Sequence, residues 1–400
     1  MKKTLFLAVM AGAALAGCVK NEPIASSDGS PGRITFDAPV VNVLTRAEEI
    51  FGNYPGTKEF AVYALYHLNA YGETAFTAAT SAVYMTNVTC AADNTTTPTQ
   101  WAPETTDYYW PKNGYLTFAA YAPAMTAVSA EDTGTAVGVK WGATGFTFQN
   151  FTVEDEPTQQ IDLLYSGRVY DQNKSSMATA GQPYKGVTIP FKHALSSIVF
   201  MAKTAATYQD ATIKLTGIKV NNVVKKGTFV QNLTADKAGG TNVPAWTLNA
   251  AITENVKDSY AVFSSTDGKV LTDAAVYVNG AVDGENESYG DGSNPPADPA
   301  ASNDGVRRSD LIVIPQDFSR GDGETDKVTV TIEYTIQNGT ETPVPQTHTF
   351  QFASVNQGQP DAWEMGKRYT YNIVIGLDKI YFNPQVTNWA DVQGDAIQIN

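Results

Sequence analysis

Apolar and polar residues alternate along much of this chain, and no other feature restricts its possible folds as strongly. The alternation runs through four segments, which are 34–40, 60–66, 328–334 and 369–375. A spacing of two is typical of strands that bury one face. Helical spacing is scarce, and 32 glycines and 20 prolines interrupt the chain at short intervals, as they do in antiparallel sandwiches. The sequence therefore predicts an all-β protein of antiparallel β-sandwiches with little helix.

Chain length predicts two such domains. Residues 1–17 have the form of an export signal, and the roughly 380 residues that remain are enough for two domains of about 100–200 residues each. The polar loop 171–186 lacks alternation and places the boundary near residue 185. We expect one sandwich over 47–185 and a second over 186–378. The second would contain a long exposed loop at 278–310, where turn-forming pairs and two consecutive prolines occur.

The N-terminus has the features of a bacterial lipoprotein signal. Two lysines precede a short apolar run that ends in Leu15-Ala16-Gly17-Cys18. A charged start, an apolar core and small residues before a cleavage point indicate an export signal rather than folded structure. The Leu-Ala-Gly-Cys sequence is a lipobox, at which Cys18 becomes a lipid-modified N-terminus, and several acyl chains would hold it at a membrane. The alternative is an ordinary secretory signal that happens to contain a cysteine.

The charge of the chain bears on nucleic-acid binding, and its cysteine content bears on disulfide formation. The net charge of −14 argues against nucleic-acid binding, which requires a basic face. Two cysteines are present. Once Cys18 carries lipid, Cys90 is the remaining thiol, so an internal disulfide cannot form.

Sequence motifs for catalysis, metals and cofactors are missing. The chain contains no G-x-S-x-G, P-loop, G-x-G-x-x-G or H-E-x-x-H motif. His67, His193 and His348 are far apart and are interpreted as structural residues. The acidic run 283–288 has Ser288 where an EF-hand turn requires glycine, so we interpret it as a solvated loop. We predict no enzymatic activity, no metal and no cofactor.

The aromatic run Asp107-Tyr108-Tyr109-Trp110-Pro111 has two interpretations. Its rings suit a platform on which a sugar stacks. Bulky aromatic residues at the start of a strand more often fill the core of a β-sandwich, and we predict that role here.

Three stretches, taken together and in this order, resemble the fimbrillin family, the type V pilins that Bacteroidales-type bacteria carry as lipoproteins. The first is DYYWPKNGYLTFAAYAP at 107–123. The second is DLLY at 162–165 followed by IPFKHALSSIVF at 189–200, and the third is WEMGKRYTYNIVI at 363–375 followed by IYFNPQVTNW at 380–389. The three stretches together extend over much of the chain, and all of them follow the lipobox in the sequence.

The resemblance implies two transthyretin-like β-sandwich domains in tandem and a proteolytic maturation step. Fimbrillins are cut by an arginine-specific protease after a short N-terminal strand. The matching position is Arg46, so the mature chain would begin at Ala47. Residues 18–46 would then be a tether and a removable strand. Without the resemblance, Arg46 would be interpreted as a solvated residue at the end of a strand.

A strand-exchange hypothesis follows from the residues of this segment. Ile34, Phe36, Ala38 and Val40 are in phase and can fill a groove as one strand. Cutting after Arg46 would release that strand and leave unpaired backbone beside an apolar slot, which favours pairing with another chain.

In the family, the strand that fills the slot is the C-terminal segment of the next subunit. Here that segment is 379–400, and Pro384 is expected to mark a bend between two short strands. Such a head-to-tail contact does not close and builds a filament. The side chains expected to plug the slot are Ile380, Phe382, Val386, Ile397 and Ile399.

The sequence thus predicts a pilus subunit, with a shaft position favoured over a tip. Its expected partners are other pilin subunits, an arginine-specific protease, the outer membrane before maturation, and host glycans or proteins during adhesion. Its location would be the outer membrane first and the pilus on the cell surface later. The alternative is a surface lipoprotein that binds glycans and never polymerises.

Overall fold

The computed structural model describes residues 32–37, 40–42, 49–53, 59–71, 82–93, 100–127, 137–142, 145–174, 186–231, 244–248, 255–279, 310–321, 323, 326–352 and 361–388. Almost all regular structure in these ranges is β-strand. A short turn of 3-10 helix spans Pro157–Gln159. Among the described residues, no helix is long and apolar enough to cross a membrane.

The strands fall into two runs along the chain. The first run contains β1 (Phe36–Asp37), β2 (Val40–Asn42), β3 (Glu49–Asn53), β4 (Phe60–His67), β5 (Ala82–Asp93), β6 (Gln100–Pro103), β7 (Tyr115–Ala122), β8 (Gly138–Gly142), β9 (Gly145–Thr152), β10 (Leu164–Ser166), β11 (Val169–Gln172), β12 (Val187–Thr188) and β13 (Phe191–His193). The second contains β14 (Ser196–Thr204), β15 (Ala211–Val224), β16 (Lys226–Val230), β17 (Ala245–Leu248), β18 (Val256–Val270), β19 (Val276–Tyr277), β20 (Leu311–Val313), β21 (Gln316–Asp317), β22 (Thr329–Asn338), β23 (Val344–Gln351), β24 (Ala362–Trp363), β25 (Lys367–Ile375) and β26 (Ile380–Asn388). The all-β prediction is confirmed.

A nine-stranded sheet holds most of the first run in the order β12-β1-β6-β5-β4-β7-β10-β13, and β11 also pairs with β7. β12 and β13 lie at opposite ends of this order, although only Ile189 and Pro190 separate them in the chain. The sheet therefore curls on itself, as sheets do where one strand crosses between layers. Ile189 is fully buried at the crossing.

Both faces of this sheet are covered, which the alternation did not predict. In β4, Phe60 and Val62 face a core inside the curled sheet. Ala61 and Tyr63 face a second core. There the sheet β17-β16-β9-β8 packs against it through Phe146, Phe148 and Phe229. The expected half-buried strand at 60–66 is a strand buried on both sides.

Most of the second run forms a sandwich of two sheets, β19-β14-β25-β26 with β20 also on β14, and β18-β15-β22-β23. This pair of sheets is called the second sandwich below. β16 and β17 belong instead to the sheet that contains β8 and β9. The inner faces of the second sandwich meet in one large core. Alternation predicted this part well, because Val328, Val330, Ile332 and Tyr334 are all buried and the residues between them are partly exposed.

The division into two domains near residue 185 stays a prediction. β16 pairs with β9, so one sheet contains segments from both sides of that boundary. Most of the predicted loop 278–310 lies outside the described residues. Its two ends are buried at Asn279 and Asp310.

Candidate strand-exchange site

Residues 32–37, here called the inserted segment, lie between two neighbours rather than at an edge. The Ile34 amide donates to the Tyr108 carbonyl at 2.7 Å, and the Trp110 amide donates to the Gly32 carbonyl at 2.9 Å. On the opposite side, the Val187 amide donates to the Thr35 carbonyl at 2.8 Å.

Register shows the same two-sided pairing at the end of the segment. Phe36 is opposite Trp101 in an antiparallel ladder with β6. It is also opposite Val187 in a parallel ladder with β12. Removing the segment would therefore leave unpaired backbone groups on two strands, a state that costs free energy unless another strand or water replaces it.

The side chains of the inserted segment fill the core of the curled sheet. Ile34 and Phe36 are fully buried. The Phe36 ring meets Phe60 edge-on at 5.9 Å and Phe118 at 5.6 Å between centroids. Burial of each side chain contributes about 1.5–3 kcal/mol, so the segment is an integral part of this core.

Close backbone contact and an ion pair fix the segment at its ends. Gly186 has φ +96°, and a Cβ there would lie 2.6 Å from the Asp37 nitrogen and 2.6 Å from the Phe36 carbonyl carbon. Only glycine allows both the conformation and the approach. At the other end, Arg33 Nε lies 2.6 Å from Asp107 Oδ1 in a half-exposed pair.

A buried thiol lies in the same core. Cys90 is fully buried within the cluster that includes Ile34 and Phe36. Burial raises the pKa of the Cys90 thiol, the negative charge of Glu104 raises it further, and the positive charge of Arg33 opposes them. The thiol is therefore protonated and unreactive while this core is closed.

The maturation residues lie beyond what the structure describes. Val40 belongs to β2, which pairs with β3 through the partners Val40–Asn53 and Asn42–Glu49. Arg46 and Ala47 fall in sequence between these two strands, at residues 43–48, outside the described residues. Cys18 and Ala38 are also outside them.

The candidate donor strand is docked in its own chain. β26 pairs with β25 from Lys367–Asn388 to Ile375–Ile380 and is the edge of its sheet among the described strands. Phe382 stacks on Tyr371 at 5.1 Å and on Phe350 at 5.7 Å. Ile380, Phe382 and Val386 are partly buried against the core, whereas Ile397 and Ile399 lie outside the described residues.

The expected bend at Pro384 is not observed. β26 runs without interruption from Ile380 to Asn388, with Pro384 opposite Tyr371. An edge strand has a free side toward which the proline nitrogen can point, so the missing N–H breaks no ladder hydrogen bond.

The structure does not bring the two predicted strands together. The inserted segment belongs to the curled sheet and β26 to the second sandwich, and they contribute to different cores. Sequence reasoning also missed the partners of the segment at 108–110 and 187. The glycine before β12 was the one local signal, since glycine often marks a close approach of two backbones.

The aromatic run at 107–111 is partly core. Trp110 is buried and its ring meets Phe118 at 6.0 Å. Tyr108 and Tyr109 are partly exposed. Within the described residues, no group of three or more His, Cys, Asp or Glu side chains is arranged to hold a metal ion.

The chain is similar to solved structures and to one sequence family. A fimbrial protein from Bacteroides vulgatus matches with a TM-score of 0.50 and 16% identity, over 83% of this chain and 93% of its own. A proposed cell adhesion protein from Bacteroides uniformis matches with a TM-score of 0.46 and 16% identity, over 91% of this chain and 100% of its own. No curated protein sequence matches significantly. The sequence profile described as fimbrillin-like matches residues 45–389, and the chain therefore belongs to the fimbrillin-like family.

Proposed function

We propose that this chain is a fimbrial subunit that polymerises by strand exchange and supports adhesion. It is exported as a lipoprotein through Cys18 and held at the outer membrane. An arginine-specific protease then cuts after Arg46, and residues up to that point are lost with the lipid. The C-terminal segment of a neighbouring subunit takes the vacated place.

The two-sided pairing of the inserted segment is the observation that carries this proposal. The described part of the segment is short, ends close to the predicted cut, and joins β6 to β12. Its loss would open a slot lined by Phe60, Phe118 and Trp101. A replacement strand must supply hydrogen bonds on both sides and apolar side chains at alternate positions.

The C-terminal strand resembles the inserted segment in sequence. Ile34-Thr35-Phe36-Asp37 is followed by Pro39 and Val40, and Ile380-Tyr381-Phe382-Asn383 is followed by Pro384 and Val386. Both place isoleucine and phenylalanine two residues apart, so both direct these side chains to one face. This similarity supports a register in which Ile380 and Phe382 occupy the places of Ile34 and Phe36.

The position of β26 is compatible with donation. In the part of the chain that the structure describes, it has one neighbour in its sheet, and its apolar side chains there are only partly buried. An edge strand of this kind detaches more easily than a strand paired on both sides. A shaft subunit needs both a removable strand and a donor strand, and the chain has a candidate for each.

N-terminal sequencing of surface material tests the proposal directly. Mature protein should begin at Ala47 and form a ladder of SDS-resistant oligomers, and Arg46→Ala should abolish both. A lipidated Cys18 on all the material, with no oligomers, would instead favour a monomeric lipoprotein that binds glycans.

Two variants on one strand test the donor. Phe382→Asp should stop polymerisation, because a carboxylate cannot enter the apolar slot. Tyr381→Asp is the matched control, since Tyr381 lies on the other face and is 54% exposed. Urea unfolding of both precursors shows whether each still folds. Equal polymerisation of the two folded variants would contradict the assigned register.

A further inference from the structure

The second sandwich has two sheets, and the described residues provide four edge positions: β18, β23, β26 and the β19/β20 side of β14. Free edges tend to pair with other chains unless charges, bulges, prolines or short strands prevent it. The four edges differ clearly in these protections.

Three of the edges are protected against pairing with another chain. β18 carries Lys257, Asp258, Asp267 and Lys269, and its ladder with β15 contains two register shifts. β26 has Pro384 near its middle. On the remaining side, β19 and β20 are short strands of two and three residues.

The gap between β19 and β20 is closed by a side chain. The Asn279 amide donates to the Ile198 carbonyl at 2.8 Å, and its oxygen accepts from the Phe200 amide at 2.6 Å. Asn279 therefore occupies the backbone groups of β14 that a visiting strand would use.

β23 is the least protected of the four edges. It runs for eight residues, Val-Pro-Gln-Thr-His-Thr-Phe-Gln, with no Asp, Glu, Lys or Arg. Its ladder with β22 is regular from Thr329–Gln351 to Ile336–Val344. Pro345, its one proline, is next to its start. Thr347, His348 and Thr349 are exposed.

We propose that β23 is a lateral docking edge at which a second copy of this chain pairs antiparallel, β23 to β23. The contact is separate from the head-to-tail exchange and does not require cleavage. Because the same strand is used on both copies, the contact is isologous and closes as a pair. In a fibre it would join two filaments side by side.

The outward direction of the backbone groups follows from Pro345. Proline has no N–H, so its nitrogen side points away from β22, and residues two apart along a strand share that direction. The backbone groups of Thr347 and Thr349 therefore face the free side. They are the donors and acceptors for the second copy.

The side chains select a register centred on Thr347. Thr347 is then opposite Thr347 of the second copy, and Val344 is opposite Phe350. Val344 is 55% exposed and Phe350 is partly exposed, so each copy covers an apolar side chain of the other. Cross-strand threonine pairs and aliphatic–aromatic pairs both stabilise sheets.

Charge opposes self-pairing only weakly at this edge. The chain carries a net charge of −14, and two copies repel each other at most surfaces. β23 carries none of that charge, so direct like-charge contacts are absent from the pairing. The pair should strengthen as salt screens the remaining repulsion.

A cysteine at the symmetry position tests the register. Residues opposite each other in a hydrogen-bonded antiparallel pair have Cα atoms roughly 5.5 Å apart, within the range that a disulfide accepts. Thr347→Cys in full-length protein on the cell surface should therefore give a dimer that reducing agent dissociates. Arg46→Ala is included in the background, so that strand exchange does not contribute.

Ser264→Cys is the matched control, because Ser264 is exposed on β18, the charged edge of the same sheet. It should give little dimer. Equal yields from the two cysteines, or capture of a different protein by Thr347→Cys, would overturn the proposal. A second test introduces no new cysteine. Thr347→Lys should raise the dissociation constant of the pair about tenfold, since like charges opposite each other destabilise a ladder. Sedimentation of the detergent-solubilised protein measures this constant. The proposal would also be overturned if the parent protein formed no detectable pair, or if Thr347→Lys paired as tightly as the parent protein.

Discussion

Arg368 and Asp310 form an ion pair inside the second sandwich, with 3.1 Å between Nε and Oδ2 and with side chains that are 6% and 3% exposed. The Ser197 hydroxyl donates to Oδ2 at 2.6 Å, and the Tyr277 hydroxyl donates to Oδ1 at 2.6 Å. The carboxylate thus joins β14, β19 and β25 at the start of β20. It fixes one end of the segment that the sequence predicted to be a long loop.

Removing this carboxylate should strongly destabilise the protein. Asp310→Ala leaves the Arg368 charge buried without its partner, which typically costs about 3–5 kcal/mol in the free energy of unfolding. Asp155→Ala is the control, because Asp155 pairs with Lys225 at 2.7 Å but its side chain is 47% exposed. Exposed pairs contribute at most about 1 kcal/mol. Urea unfolding measures both, and equal losses would contradict a structural role for the buried pair.

A second prediction concerns the glycine beside the inserted segment. Gly186→Ala should loosen that segment, because a Cβ would meet the backbone of Phe36 and Asp37 at 2.6 Å. Gly339→Ala is a matched control. Gly339 also has a positive φ, of +54°, but nothing lies within 4 Å of its Cβ position.

The control should cost about 1–2 kcal/mol, from the left-handed backbone alone. Gly186→Ala should cost more, since backbone atoms of β1 must also move. The difference between the two losses in unfolding free energy therefore reflects the close approach together with the larger φ of Gly186. If the two variants lose the same stability, the contact between β12 and β1 is looser than the structure shows.

Alternation predicted the fold class and many of the strands, but it did not predict how many faces each strand buries. Val330 and Ile332 are buried on one face of β22, as their spacing suggests. Ala61 and Tyr63 look like the solvent face of β4, yet a second core covers them. Alanine and tyrosine occur on both exposed and buried faces, so their positions in the pattern do not distinguish the two cases.

The sequence predicted only some of the residues that form the candidate strand-exchange site. Ile34 and Phe36 were predicted to fill a groove, and the structure buries both. Their partners Tyr108 and Val187 are distant in the chain, and the one local signal for them is Gly186, next to Val187. Pairing between such distant segments depends on the whole sheet order, which hydrophobic spacing does not determine.

The third prediction is a pH dependence that comes from His67. Burial lowers the pKa of His67, and the hydrogen bond to the Asn69 carbonyl and the charge of Asp171 oppose this shift. The neutral ring can donate from Nδ1 to the Asn69 carbonyl at 2.8 Å and accept at Nε2 from the Thr117 hydroxyl at 2.9 Å. Protonation would remove that acceptor.

The folded-state pKa of His67 lies below the unfolded value of about 6.5. Once the pH falls below that value, the unfolded chain therefore binds more protons at this residue than the folded protein does. The contribution of His67 is therefore complete above about pH 6.5 and is lost as the pH falls toward the folded-state pKa. His67→Gln should reduce the fall in urea midpoint between pH 7.5 and pH 5. A fall of the same size in His67→Gln and the parent protein would assign the pH dependence to other groups.

The last prediction uses Cys90 to detect release of the inserted segment. Thiol reagents attack the thiolate, and burial raises the pKa of Cys90 as well as blocking access to it. In the uncut protein, labelling by a maleimide should therefore be slow and should become fast in urea. The core that contains Cys90 also contains Ile34 and Phe36, so departure of the segment would let water and reagent approach the sulfur.

Cleavage alone should change this rate little, because the hydrogen bonds to Tyr108 and Val187 and the buried Phe36 ring hold the cut segment in place. Labelling should accelerate only when the segment leaves, and a synthetic peptide with the sequence of residues 379–400 should slow it again by filling the slot. A peptide with aspartate at the positions of Ile380 and Phe382 is the control and should have no effect. If Cys90 reacts equally fast before cleavage and after the segment has left, the slot does not open to this core. Protection by both peptides would show that filling does not depend on the two apolar side chains.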